Sequence, residues 1–155
     1  MNINYLSFVD IYEEMDFYGY NILKSVSMQK TKKYLQHGNV SVYEHSVSVA
    51  IMCLVIAKYF HINVEIESLV RGALLHDYFL YDWHIPDKEH KLHGFTHARK
   101  ALNNAERDFE LNDIERNMIL CHMFPLNIRV PKYKESVILC IADKICATRE
   151  IFQRY

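Results

Sequence analysis

A histidine and an aspartate stand side by side at His76-Asp77, at the end of the apolar stretch Leu69-Val70-Arg71-Gly72-Ala73-Leu74-Leu75. An imidazole and a carboxylate can both bind one metal ion, and the carboxylate keeps a second oxygen for another. By itself such a dipeptide usually serves as a solvated or capping pair, so its meaning rests on companions elsewhere in the chain. His45 shares a helical stripe with Val49 and Met52 and points inward. Asp143 comes four residues after Leu139 and three before Cys146, which also aims it at the core. A buried carboxylate must meet a cation, a basic side chain or a metal. His122 lies at a helix end just before Pro125. There are nine histidines, and His76, His84, His90, His93 and His97 fall within 22 positions. As separate buried polar groups, His45, His76, Asp77, His122 and Asp143 would each carry a desolvation cost, and a shared metal removes it.

Helices must hold these residues. Aromatic residues at Tyr5, Phe8, Tyr12, Phe17, Tyr18 and Tyr20 suggest a short helix packed on the core. A second helix is predicted over Val26 to Gln36, ended by His37-Gly38-Asn39 with glycine in the C-cap region. Ser41 is the expected N-cap of a long helix from Val42 to Phe60 with Val42, Val49, Met52, Ile56 and Tyr59 on its stripe. The next helix starts after Asn63 and delivers His76-Asp77 at its C-terminal end. Residues 78 to 94 read as an irregular aromatic segment: either a substrate lid, or Phe79 and Trp83 packing over the helix end. Thr96 is the predicted cap of a helix from His97 to Phe109, with Ala98, Ala101, Leu102 and Ala105 as its tight-packing face. Asn112 and Glu115 form a capping-box pattern for a short helix ending near His122. The last helix is predicted over Glu135 to Gln153, its buried side marked by Leu139, Ala142, Ile145 and Cys146.

The composition fits one all-α domain over residues 1–155, with 1–40 as an N-terminal helical extension packed on the core: half the residues are hydrophobic, and four glycines and three prolines are too few for the turns of an all-β fold. A net charge of -1 gives no basic footprint for nucleic acid. The longest unbroken apolar run, Val49 to Ala57, is shorter than the roughly 20 residues that cross a bilayer, and the acidic start is unlike a secretory leader. A cytoplasmic protein with no membrane partner is expected. Cys53, Cys121, Cys140 and Cys146 lack C-x-x-C spacing and read as reduced core thiols; Cys121, beside His122, is a less favoured ligand.

The order His45, His76-Asp77, Asp143 resembles the H…HD…D signature of the HD-domain metal-dependent phosphohydrolases. The resemblance covers about residues 40 to 150. It includes Val42-Tyr43-Glu44-His45-Ser46-Val47, Gly72-Ala73-Leu74-Leu75-His76-Asp77 and Ile141-Ala142-Asp143-Lys144, and resembles an uncharacterised bacterial branch in Leu75 to His84 and His93-Gly94-Phe95-Thr96-His97. It implies an HD-type bundle of about six to eight helices in which His45, His76, Asp77 and Asp143 hold one divalent ion. In relatives with two ions, further histidines lie between the HD pair and the final aspartate. His97 and His122 match those places, with Asp77 bridging. His93-Gly94 also matches the first of them; His97 is preferred because Ala101 then takes the small-residue position four later, and His93 is a second candidate ligand or a catalytic contact to the substrate. One departure matters: Tyr78, Phe79 and Leu80 follow the pair where many relatives carry isoleucine, glycine and lysine. Any role of that lysine in binding phosphate must then pass to another group, such as Lys91, Lys144 or Arg149.

The reaction implied is hydrolysis of a phosphoester, of a nucleotide or a related small molecule, by a hydroxide bridging two metals, with Asp77 central to catalysis. Iron, manganese, zinc and nickel all suit such ligands. Two other readings remain open on the same scaffold: a non-catalytic metal-binding or ligand-sensing module, and an iron-dependent oxygenase. The oligomeric state is not read from the sequence.

Overall fold

Apolar residues at helical spacing build seven helices among the residues that the computed structural model describes, 8–81 and 93–152, with side chains described for 9–81 and 96–152. In chain order they are α1 (Phe8–Lys24), α2 (Val26–Lys30), α3 (Val42–Tyr59), α4 (Ile66–Leu75), α5 (His93–Asp108), α6 (Asp113–Cys121) and α7 (Lys134–Phe152). Between α2 and α3 lie a 3-10 turn and a two-stranded hairpin of β1 (Leu35–His37) and β2 (Val40–Ser41). The architecture is all-α, as the composition predicts.

α4 packs against α3, α1, α6 and α7. Its Leu69, Val70, Ala73, Leu74 and Leu75 have no exposed surface, and burial of each larger side chain contributes about 1.5–3 kcal/mol. Two glycines let helices approach this centre. A Cβ on Gly72 would stand 2.5 Å from Met118 Sδ of α6, and one on Gly19 would stand 2.6 Å from Leu74 Cδ1. The N-terminal part of the chain is thus tied to the core by α1, through Ile11, Met15 and Ile22.

The start of α3 follows the predicted chemistry. Ser41 Oγ accepts from the Glu44 amide at 3.2 Å, and Glu44 Oε2 accepts from the Ser41 amide at 2.9 Å, satisfying two donors that a helix start leaves open. Asn112 and Glu115 do the same for α6. α3 is long and apolar enough to cross a membrane by length and composition, and half of it is buried inside the protein.

Several expectations need correction. The helix predicted from Val26 to Gln36 stops at Lys30, and β1 and β2 pair with Leu35 opposite Ser41 and His37 opposite Val40. Gly38, expected to cap a helix, is the first of two loop residues and takes φ 61, the left-handed value that a tight hairpin asks of glycine. Of the aromatic residues expected to pack the first helix, Tyr12, Phe17 and Tyr20 are exposed; α1 buries its aliphatic side instead. Tyr5 and the side chain of Phe8 lie outside the described residues. α5 begins at His93, so Thr96 is inside its first turn rather than before it. Ala98, Ala101, Leu102 and Ala105 are buried as predicted, whereas Tyr59 and Ile145 are exposed.

Tyr78 and Phe79 are buried, and the Tyr78 hydroxyl donates to Asp108 at 3.0 Å. These two residues therefore pack at the end of α4. Residues 82–92 of the expected lid, including Trp83, lie outside the described residues, and His93 and Gly94, read as part of the irregular segment, belong to α5. All four cysteines are buried and free.

Candidate metal centre

Two of the site histidines are set by the same local device. His76 follows the last residue of α4 and its Nδ1 donates to the Ala73 carbonyl three residues back at 2.7 Å. His122 follows the last residue of α6 and donates in the same way to Ile119 at 2.7 Å. Each bond satisfies a carbonyl that the helix end leaves open. A carbonyl can only accept, so Nδ1 carries the proton and Nε2 of the neutral ring presents a lone pair to the space beyond the helix, which is the form a metal binds.

His45 lies in the first turns of α3 and has no exposed surface. Its Nδ1 pairs with Glu150 Oε2 at 2.8 Å and its Nε2 with Asp143 Oδ1 at 3.1 Å, both carboxylates coming from one face of α7. His37, half-buried on β1, sets its ring edge-on to His45 with centroids 5.2 Å apart. Burial, and then His45, push the His37 pKa down.

Asp77 joins two groups. Its Oδ2 lies 3.7 Å from His45 Nε2 and 3.2 Å from His76 Nε2, while Asp143 Oδ1 is 3.6 Å from the same His76 nitrogen. Its Oδ1 lies 3.4 Å from His97 Nε2 and 3.4 Å from His122 Nε2. Among the described residues, ligand atoms within 4.8 Å of one another fall into three sets: His45 with His76 and Asp143, Asp77 with His97 and His122, and His37 with His45 and Glu150, the last on the Glu150 side of the His45 ring. All six residues of the first two sets are buried.

The residues fit a metal. His76 Nε2 and Asp77 Oδ1 are fully buried and lack a hydrogen bond of good geometry, although their ion-pair partners lie 3.2 to 3.6 Å away; a buried polar group left so costs about 1–3 kcal/mol unless something fills the place. A cation among them answers both. With protons alone the cluster is an ion-pair network. Burial opposes the charge on His45, yet hydrogen bonds to Asp143 and Glu150 raise its pKa to about 9. Burial likewise opposes ionisation of Asp77, but the charge of His76 and hydrogen bonding from His122 hold it well below the carboxylate range. Asp143 is burdened by burial too, and hydrogen bonds from His45 and His76 hold it low.

Beside the cluster opens a cavity of about 340 Å³. Gln36, His37, Asp77, His97, His122 and Asp143 form its polar wall, and Met123, Leu126, Lys144 and Ala147 complete the described lining. Its size is that of a small-ligand site. Lys144, one of the cations that could stand in for the absent lysine, reaches this lining, its Nζ donating to the His122 and Cys140 carbonyls at 3.2 Å each. Arg149 is exposed on α7 and Lys91 lies outside the described residues.

The structure therefore brings together His45, His76, Asp77, His97, His122 and Asp143. His93 is the first residue of α5, and its side chain lies outside the described residues. The Cys121 thiol belongs to none of the three ligand sets; its sulfur lies 3.8 Å from Asn117 Oδ1 and 3.9 Å from the Met118 carbonyl. Sequence reasoning missed Glu150 and Gln36. Glu150 had a signal, since it follows Asp143 by seven residues on the buried face that includes Cys146. Gln36 had none.

A family model described as the HD domain matches residues 42–148, from the first residue of α3 well into α7. No curated protein and no solved structure matches.

Proposed function

The chain belongs to the HD-domain family, and from that premise we propose that it is a metal-dependent phosphohydrolase with two divalent transition ions, acting on a small phosphoester such as a nucleotide. The observation that carries this reading is the division of Asp77, one oxygen toward His45 and His76 and the other toward His97 and His122. His45, His76 and Asp143 would hold the first ion, His97 and His122 the second, and Asp77 both. Bound ions of this kind generate a nucleophile from water at neutral pH and neutralise charge on a phosphoryl oxygen.

The protein's own groups do the rest. Ala73, Ile119 and Glu150 orient the imidazoles of His76, His122 and His45, and such supporting partners commonly change metal affinity or activity 10–100-fold. Lys144 brings a positive charge to the cavity wall, suited to a phosphate. Met123, Leu126 and Ala147 offer an apolar surface for the rest of the ester. His93 is retained as a second candidate ligand or substrate contact.

The test is elemental analysis of protein purified without a histidine tag, followed by assay of phosphate release from nucleotides and generic phosphodiesters. About two equivalents of transition metal per chain with hydrolysis is the expected result. No metal after incubation with iron, manganese, zinc and nickel salts would sink the proposal. Metal without hydrolysis would favour a sensing module, and oxygen consumption with a polyol would favour an oxygenase.

A further inference from the structure

We infer that Gln36, which precedes the segment matched by the family model, is a positioning residue that holds Asp77 in its bridging orientation. The inference rests on the two-ion reading above. β1 turns Leu35 outward and Gln36 inward, leaving Gln36 7 % exposed. Across 41 residues of sequence its Nε2 donates a short hydrogen bond to Asp77 Oδ2. Only the amide nitrogen can make that contact, because the amide oxygen and a carboxylate are both acceptors. A neutral donor suits the place: it fixes the carboxylate without supplying a charge that would compete with a cation for it.

The hairpin is itself held in register with the site. The Val42 amide donates to the Tyr34 carbonyl at 2.8 Å, and β2 runs directly into the Ser41 cap of α3, four residues before His45. Gln36 is thus fixed relative to His45 as well as to Asp77. With Oδ2 held on the His45 and His76 side, Oδ1 is left facing His97 and His122. The second ion has two other ligands in this proposal and the first has three, so the second depends more on that orientation. The other end of the amide is also informative. Gln36 Oε1 is buried without a hydrogen-bond partner, and Gln36 lines the cavity.

The experiment is titration of the metal-free full chain with Mn²⁺, followed by calorimetry and by electron paramagnetic resonance. Wild type, Gln36→Met and Gln36→Leu are compared, with Leu35→Ser on the outer side of the same strand as control. In both Gln36 variants the second equivalent is expected to bind about 10–100-fold more weakly and the first within about twofold of wild type. The exchange-coupled signal of a manganese pair should give way to that of isolated ions at the same loading. Leu35→Ser should retain the wild-type pattern and melting temperature, and the metal-free Gln36 variants should stay folded with a melting temperature lowered by a few degrees, the effect of one lost buried hydrogen bond. Unaltered second-site affinity in the Gln36 variants overturns the assignment while leaving the two-ion reading intact. Fewer than two equivalents in wild type overturns that reading first. Equal loss in Leu35→Ser, or unfolding of the Gln36 variants, overturns the assignment by making Gln36 a residue that holds the hairpin.

Discussion

His97 and His122 meet nitrogen to nitrogen, their Nε2 atoms 2.9 Å apart. His122 has committed its Nδ1 proton to Ile119, so its Nε2 carries a lone pair whenever the ring is neutral. Two imidazole lone pairs cannot rest against each other without a proton or a metal between them. Asp77 Oδ1, 3.4 Å from both, completes three donors around one point.

Removing either ring should therefore cost one ion rather than two. His97→Ala and His122→Ala are expected to retain about one equivalent of metal per chain by elemental analysis. Retention of two equivalents in both variants would contradict the assignment of these histidines.

Asp77→Ala goes further, because it deletes the group shared by both sets. Metal content should fall to one equivalent or less and phosphate release by about 100-fold or more. Full metal content with full hydrolysis would rule out the bridging role.

Glu150 acts on the first set through His45. Without its carboxylate, His45 Nδ1 is a buried donor lacking a partner, and Glu150→Ala should lose about 1–3 kcal/mol of stability in the metal-free protein, read by chemical denaturation. Affinity for the first ion should fall about 10–100-fold by calorimetry. A variant unchanged in both measurements would leave Glu150 without a supporting role.

Packing at α4 gives a test independent of metal. Gly72→Val must displace Met118, whose Cβ as well as its Sδ lies in the way, and should destabilise by about 1–3 kcal/mol. Met118→Ala in that background should recover part of the loss. Gly72→Ala should be milder, since alanine gains about 1 kcal/mol of helix propensity against the same crowding. An unchanged denaturation midpoint for Gly72→Val would show that α4 and α6 can separate freely.

Much of this arrangement was legible in the chain. His45 and Asp143 are polar residues on otherwise apolar stripes, and burial of such groups demands a partner. Ser41-Glu44 and Asn112-Glu115 announce two helix starts through local hydrogen bonding alone. The hairpin was not legible: three-residue β1 is too short for alternation to show against the helical pattern before it. With it went Gln36, whose partner is far away in sequence. Tyr12, Phe17 and Tyr20 misled for another reason, because an aromatic ring is a common core residue yet here the aliphatic side of α1 faces inward.

The pairing of His45 with Asp143 spans 98 residues, and that with Glu150 spans 105. Closing a loop of roughly that length costs about 4 kcal/mol of chain entropy. Contacts so distant in sequence contribute little until the intervening helices have docked, which raises contact order and slows folding. The centre is then a latecomer in assembly. Metal bound there should slow unfolding more than it speeds folding, lending the native state kinetic persistence.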